Sequence, residues 1–171
     1  AILETEKGKP KRLKGEFLES EIFNASDPRR LYIDSVAQKA TEVFNAKPNK
    51  FGLDGHRTEG KYGDIVFLHD NLYWKGGIGY FESEIITESE AGRIIQFIAE
   101  KKIPITVSLS SLGTEKFDKK REDKNGLVGG YMVQEGLEIL TLDAVLHQAF
   151  SNAKAMLEQK KKQSNEGGLD M

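Results

Sequence analysis

Three serines fall within four residues of the run Ile105–Gly113, ITVSLSSLG, directly after Pro104. A serine hydroxyl becomes a nucleophile when a base takes its proton, and histidine is the usual base. The chain has three histidines, His56, His69 and His147, and no cysteine, so thiolate catalysis, disulfides and cysteine-ligated zinc are excluded. His56 lies in GLDGHRTEG among Gly52, Gly55 and Gly60, where the backbone can turn sharply and present a side chain. A solvated loop histidine is the plainer reading of that segment. His69, in FLHDN, abuts an expected turn and reads as a strand-end polar residue. His147 follows LDAVL and shares strand parity with Asp143, so either could orient a base. A buried aspartate on an apolar strand needs a partner; a turn or cap contact would serve as well as a histidine. Serine-rich turns are common for reasons unrelated to catalysis. The residues alone therefore pose acyl transfer as a question and do not choose among Ser108, Ser110 and Ser111.

The elements that would position these groups follow from periodicity. Apolar residues between Leu13 and Phe23 alternate loosely with charges and predict a strand. In LYIDSVAQKATEVFNAKP, Ile33, Val36, Ala37, Ala40 and Phe44 recur at helical spacing up to Pro48. Ile65 to Ile86 reads as two or three strands with turns at Asp70-Asn71 and Lys75-Gly76-Gly77. Thr87 and Glu90 form a capping-box pattern ahead of a second helix over 89–102, with Ala91, Ile94, Ile95 and Ile98 on one face. The serine run follows as a strand. TEKFDKKREDKNG is too charged to bury and is expected as a mobile surface loop. LVGGYMVQE and LEILTLDAVL predict two further strands, and AKAMLEQKKKQSNEGGLDM a short helix fading into a disordered tail. The expected fold class is α+β: a largely antiparallel sheet or barrel core with two main flanking helices. Three segments are expected: a basic leader over 1–12, the domain over 13–155, and the helix and tail over 156–171.

Bulk properties narrow the function. The 171 residues suffice for one domain with a real core, and 38% hydrophobic with 30% charged residues is ordinary for a soluble protein. Lys plus Arg, 25, nearly balance Asp plus Glu, 27, so no overall field gathers nucleic acid or anionic lipid. No run of about 18 apolar residues could span a bilayer, and AILETEKGKPKRLKG lacks the apolar stretch of a secretory signal. The expectation is a soluble protein made in a cytoplasm, binding neither nucleic acid nor membrane. The glycines of WKGGIGY sit in a hairpin without the helix and Lys-Ser/Thr pair of a phosphate loop. The carboxylates of EFLESE and FESE line solvent faces, and KKREDK is a mixed-sign run rather than a basic patch. No cofactor and no metal are called for.

The order of the pieces carries a resemblance. SEAGRIIQFIAEKKIPITVSLSSLG, residues 89–113, resembles the helix and nucleophile strand of the prohead proteases of tailed phages, the capsid-maturation serine proteases that share the herpesvirus assemblin fold. The myovirus branch of that family has a Gly-Lys-Ile-Ile-like helix leading into Gly-Val-Ser-Ser-Arg-Gly-x-Gly. GEFLESEIFNASDPRRLYIDSVAQKA is similar to the family's first strand, its Asn-x-x-x-Arg-x-Tyr turn and its first helix, and FGLDGHR to the Gly-Glu-Leu-x-His segment bearing the base. LYWKGGIGYFESEII is similar to its Trp-x-x-Gly-x-x-x-Tyr-Gly hairpin, and EGLEILTLDAVLHQAFSNAKA to its closing Val-Asp-x-Val strand with a Ser-x-x-x-Ala turn. The likeness spans about residues 13–155.

Position by position, the resemblance implies Ser108 as nucleophile, His56 as base and Asp143 as the third member, with His147 the alternative because the herpesvirus relatives use a second histidine. Backbone N–H groups at Ser110, Ser111 and Gly113, in a loop after the nucleophile, are the implied oxyanion hole. The implied activity is a serine endopeptidase that cleaves scaffold and major capsid proteins, and itself, inside the prohead, with a homo-oligomer possible. The family often cleaves after a glutamate; Ile2-Leu3-Glu4, Phe17-Leu18-Glu19 and Met156-Leu157-Glu158 carry one, the first and last where the chain is expected to be accessible. The family's Ser-Ser-Arg-Gly reads Ser108-Leu109-Ser110-Ser111 here, so an arginine and a glycine beside the nucleophile are replaced. The alternative is thus a catalytically inactive protease-fold structural or binding protein of the phage head.

Overall fold

The computed structural model describes residues 11–57, 59–146, 150 and 152–157. Seven strands form one sheet in the order β3 (Phe51–Leu53), β4 (Ile65–Lys75), β5 (Ile78–Ile85), β1 (Arg12–Glu19), β10 (Lys154–Leu157), β6 (Ile105–Leu112) and β9 (Glu138–Ala144), each pair antiparallel. The two ends of this sheet meet. Asp54, just past β3, bridges Ala144 at the end of β9, and Gly55 N–H donates to the Ala144 carbonyl at 2.7 Å. The sheet is thereby a nearly closed barrel. A second sheet, β2 (Arg30–Tyr32), β8 (Val128–Val133) and β7 (Glu115–Glu122), runs beside it, with β2 parallel to β8 and β7 antiparallel to it. The α+β expectation, with two helices, α1 (Asp34–Asn45) and α2 (Glu90–Glu100), matches this architecture.

Alternation is clearest in β5. In β5 every second residue is buried, and Phe81 and Ile85 from it meet Leu13 and Phe17 of β1 and Val66 and Phe67 of β4 in the core. Helix α1 buries Val36, Ala37, Ala40, Thr41 and Phe44 as one stripe, and its register is held by Asp34, whose carboxylate accepts from Trp74 Nε1 at 3.0 Å and Ser20 Oγ at 2.8 Å. Helix α2 is capped by Ser89, not Thr87: the Ser89 hydroxyl accepts from Gly92 N–H at 2.9 Å. It buries Gly92, Ile95 and Ala99, so Ile94 lies on the outer face, 54% exposed.

Three expectations fail for one physical reason, tertiary context overriding local signal. Asp70-Asn71 is not a turn: β4 continues through it as a bulge, the register shifting between His69 and Asn71. His69 is therefore a core residue of the mid-strand, 2% exposed, rather than a strand-end group. The charged run expected as a loop forms β7, an exposed edge strand held by pairing with β8 and by Phe117 packing on Tyr131 at 5.3 Å between ring centres. Lys154–Leu157 is a strand filling the slot between β1 and β6, not the start of a helix. Residues 1–10 of the expected leader and 158–171 of the expected tail lie outside the described residues. Among the described residues no helix is long and apolar enough to cross a membrane.

Candidate active site

The seam where the barrel closes assembles the polar residues. Gly52 lets β3 lie against β9, since a Cβ there would meet the Leu142 carbonyl oxygen at 2.2 Å. Gly55 follows with φ +93°, the left-handed region that favours glycine, and turns the chain so that His56 returns over the end of β9. His56 Nδ1 lies 2.7 Å from Asp143 Oδ2. Asp143 is fully buried, and its carboxylate also accepts from the Leu53 N–H at 2.9 Å and the Thr141 hydroxyl at 3.0 Å. Three donors on one buried carboxylate answer the cost of burying a charge and leave it one orientation. Because a carboxylate accepts, His56 Nδ1 is the donor of this pair, so in the neutral imidazole the lone pair is on Nε2. Nε2 has no hydrogen-bond partner among the described residues.

Ser108 and Asp143 are direct cross-strand partners in the β6–β9 ladder. Paired residues share a face, so both project from the same side, with Val107 and Leu142, fully buried, on the other. Ser108 and His56 line one cleft of about 640 Å³, with Ser110, Ser111 and Gly113 along the same wall. The hydroxyl of Ser108 makes no hydrogen bond to the imidazole or to any other described residue. Ser110 and Ser111 stand in β6 opposite Thr141 and Ile139, with a bulge between them, so the expected loop after the nucleophile is a strand. His147, the alternative third member, lies outside the described residues.

The facing wall comes from the β1–β2 loop and the second sheet. Arg30 forms a forked pair with Glu115 across the rim, and that carboxylate holds the guanidinium above its usual range. Tyr32 is buried behind them, and burial pushes its phenol up, opposed by the Arg30 charge. Asn24 and Ser26 complete this side, while Val133 and Leu137 supply apolar surface. An arginine is thus present in the cleft from a different element, although none follows Ser108 in sequence. Sequence reasoning missed Thr141, Asn24 and the Arg30–Glu115 pair. Thr141 was within reach of strand parity, two residues before Asp143 on the same face. Arg30 and Glu115 meet across β8 within the second sheet, a pairing of distant segments that no periodicity reports, and Asn24 lies in the stretch likened to the family's Asn-x-x-x-Arg-x-Tyr turn without being singled out. Among the described residues no group of three or more acidic or histidine side chains converges to hold a metal ion.

A solved structure shares this fold: the capsid assembly protease gp21 of bacteriophage T4. The likeness covers 80% of this chain and 82% of that one, with a TM-score of 0.63 and 21% sequence identity. No protein-family model matches the chain, and no curated protein matches it. At this identity the likeness is one of fold: this chain and that protease share their architecture.

Proposed function

We propose that the protein is a serine endopeptidase of phage head maturation, with Ser108 as nucleophile, His56 as general base and Asp143 as the residue that orients it. One observation carries this reading: a histidine held through Nδ1 by a buried, triply bonded aspartate, with its other nitrogen unpartnered among the described residues, in the cleft that Ser108 lines. As Ser108 Oγ bonds to a peptide carbonyl carbon, its proton passes to His56 Nε2 and the carbonyl electron pair moves onto oxygen. Collapse expels the amine, which takes the proton from His56; water then enters by the same route and releases the acid. Asp143 stays ionised and stabilises the imidazolium. Backbone N–H groups at Ser110, Ser111 and Gly113 are the donors that the family resemblance offers to the oxyanion.

The substrates proposed are the scaffold and major capsid proteins, met inside the prohead, and the chain itself. Phe17 and Leu18 are buried in β1, and Met156 and Leu157 are held in β10, so Ile2-Leu3-Glu4 is the sequence proposed for self-cleavage. A second reading, an inactive head protein that uses the same cleft for binding, is favoured by one feature: the Ser108 hydroxyl is not bonded to His56. Hydrogen bonds of this kind often tighten only with substrate present. Co-expression with the scaffold and major capsid proteins of its phage separates the two. Cleavage by wild type and not by Ser108→Ala supports the enzyme; intact substrates with both would sink it. Masses of the purified chains test self-cleavage, which predicts a shorter wild type than Ser108→Ala.

A further inference from the structure

An acyl-transfer site needs donors aimed at the oxygen that becomes negative. Here β6 continues past Ser108 in register with β9, Ser110 opposite Thr141 and Ser111 opposite Ile139, so much of the backbone expected to serve is engaged in a ladder. Across the cleft, the loop between β1 and β2 offers another donor. Asn24 is 8% exposed and lines both the cleft with Ser108 and a narrow recess behind it that Phe17, Val107 and Phe150 close. Its Oδ1 accepts from Ser26 N–H at 3.1 Å, Arg30 N–H at 3.0 Å and the Ser26 hydroxyl at 2.5 Å. Two of these donors are main-chain N–H groups, which fixes the oxygen on that side and turns the NH2 the other way. Nδ2 has no partner among the described residues. An amide donor buried without an acceptor is costly and calls for an explanation.

The loop alone does not explain it. An aspartate would accept the same three bonds, with charge assistance; the amide NH2 is what asparagine adds. The three bonds also hold the side chain rigid, as a donor needs if it is not to reorganise during reaction.

We propose that Asn24 Nδ2 donates a hydrogen bond to the oxyanion formed when Ser108 attacks a substrate carbonyl, making Asn24 a catalytic residue. This rests on the serine peptidase reading above. Asn24 gives no proton away: the Ser108 proton goes to His56, and the amide stabilises the charge left on oxygen.

A fluorophosphonate tests this without knowledge of the peptide substrate, since Ser108 Oγ would bond to phosphorus, fluoride would leave and the phosphoryl oxygen would occupy the oxyanion position. Labelling rates at graded probe concentration give kinact and KI for wild type, Ser108→Ala and Asn24→Asp, with melting temperatures for each. The expected result is an adduct on Ser108 in wild type, none in Ser108→Ala, and a kinact for Asn24→Asp lower by about 10²–10³-fold, with KI and melting temperature nearly unchanged. An Asn24→Asp protein labelled at the wild-type rate would overturn the role of Asn24 and leave the serine reading standing. So would one whose loss lies in KI or in melting temperature, the mark of a residue that only fastens the loop. A wild type that takes no label on Ser108 would overturn both.

Discussion

Among the described residues two serine–histidine pairs stand out, and they are built oppositely. His69 and Ser83 face each other across β4 and β5, with Nδ1 in hydrogen-bond contact with the serine hydroxyl. The other nitrogen donates to the Leu142 carbonyl at 2.9 Å, and the rings of Phe44, Phe67 and Phe81 surround the imidazole at 5.6 to 6.5 Å. Burial pushes its pKa down to about 4. His56 has an imidazole 44% exposed, one nitrogen on Asp143 and the other open to the cleft beside Ser108. The pair with the hydrogen bond has no room for a substrate and no spare nitrogen; the pair without it has both. A serine–histidine contact is therefore a poor mark of a nucleophile. A buried acceptor behind the histidine, with space in front, is the better one.

The largest effect that could break this comparison is Ser108→Ala. On the peptidase reading it removes the nucleophile, and cleavage of co-expressed head proteins should fall by at least about 10⁴-fold with the melting temperature unchanged. Full activity in this variant would assign the cleft to binding.

Asp143→Asn should come next. The amide can still accept from Leu53 N–H, but it no longer holds His56 as the Nδ1-protonated tautomer or balances the imidazolium, and kcat should drop by about 10³–10⁴-fold. A variant that folds and turns over at the wild-type rate would leave His56 as an ordinary surface histidine.

How far the sequence reveals these two regions differs between them. The barrel strands are legible where β5 alternates, and at the seam β9 is legible because it carries an aspartate among apolar residues, which asks for a partner. His56 is legible as an exposed group because glycines flank it. The choice among Ser108, Ser110 and Ser111 is not a matter of periodicity, since all three lie on one strand; the register with Asp143 singles out the first. His69 misleads because Asp70-Asn71 has turn composition, yet pairing with β5 carries the chain straight through as a bulge. Ala153–Leu157 contains helix formers, and only the open slot between β1 and β6 makes part of it a strand. Asn24 falls in the stretch likened to the family's Asn-x-x-x-Arg-x-Tyr turn, but an asparagine before Ser-Asp-Pro is ordinary turn chemistry until the facing strand is in place.

Acid should sharpen the contrast through His69. In the unfolded chain its pKa is 6.5 and in the fold about 4, so below pH 6.5 the unfolded state binds a proton that the folded state refuses. Stability from this group is complete above 6.5, falls as pH drops toward 4 and levels off below it, a loss of roughly 3 kcal/mol. Urea unfolding at pH 7 and pH 4 should show the gap between wild type and His69→Gln shrinking by about that amount. A constant gap would mean that His69 is not held neutral.

Ser83→Ala is the smallest expected change and the most discriminating control. It removes a hydroxyl that is fully buried and leaves His69 Nδ1 without a donor in a site closed to water, a loss of about 1–3 kcal/mol in urea unfolding. Its cleavage rate should stay within about threefold of wild type, because nothing on the cleft side of the β6–β9 ladder touches it. Leu142 links the regions: His69 holds its carbonyl, and Asp143 is the next residue. A Ser83→Ala protein that keeps its stability but loses activity would mean that the buried pair acts on Asp143 through that carbonyl, and that the two serine–histidine pairs form one device.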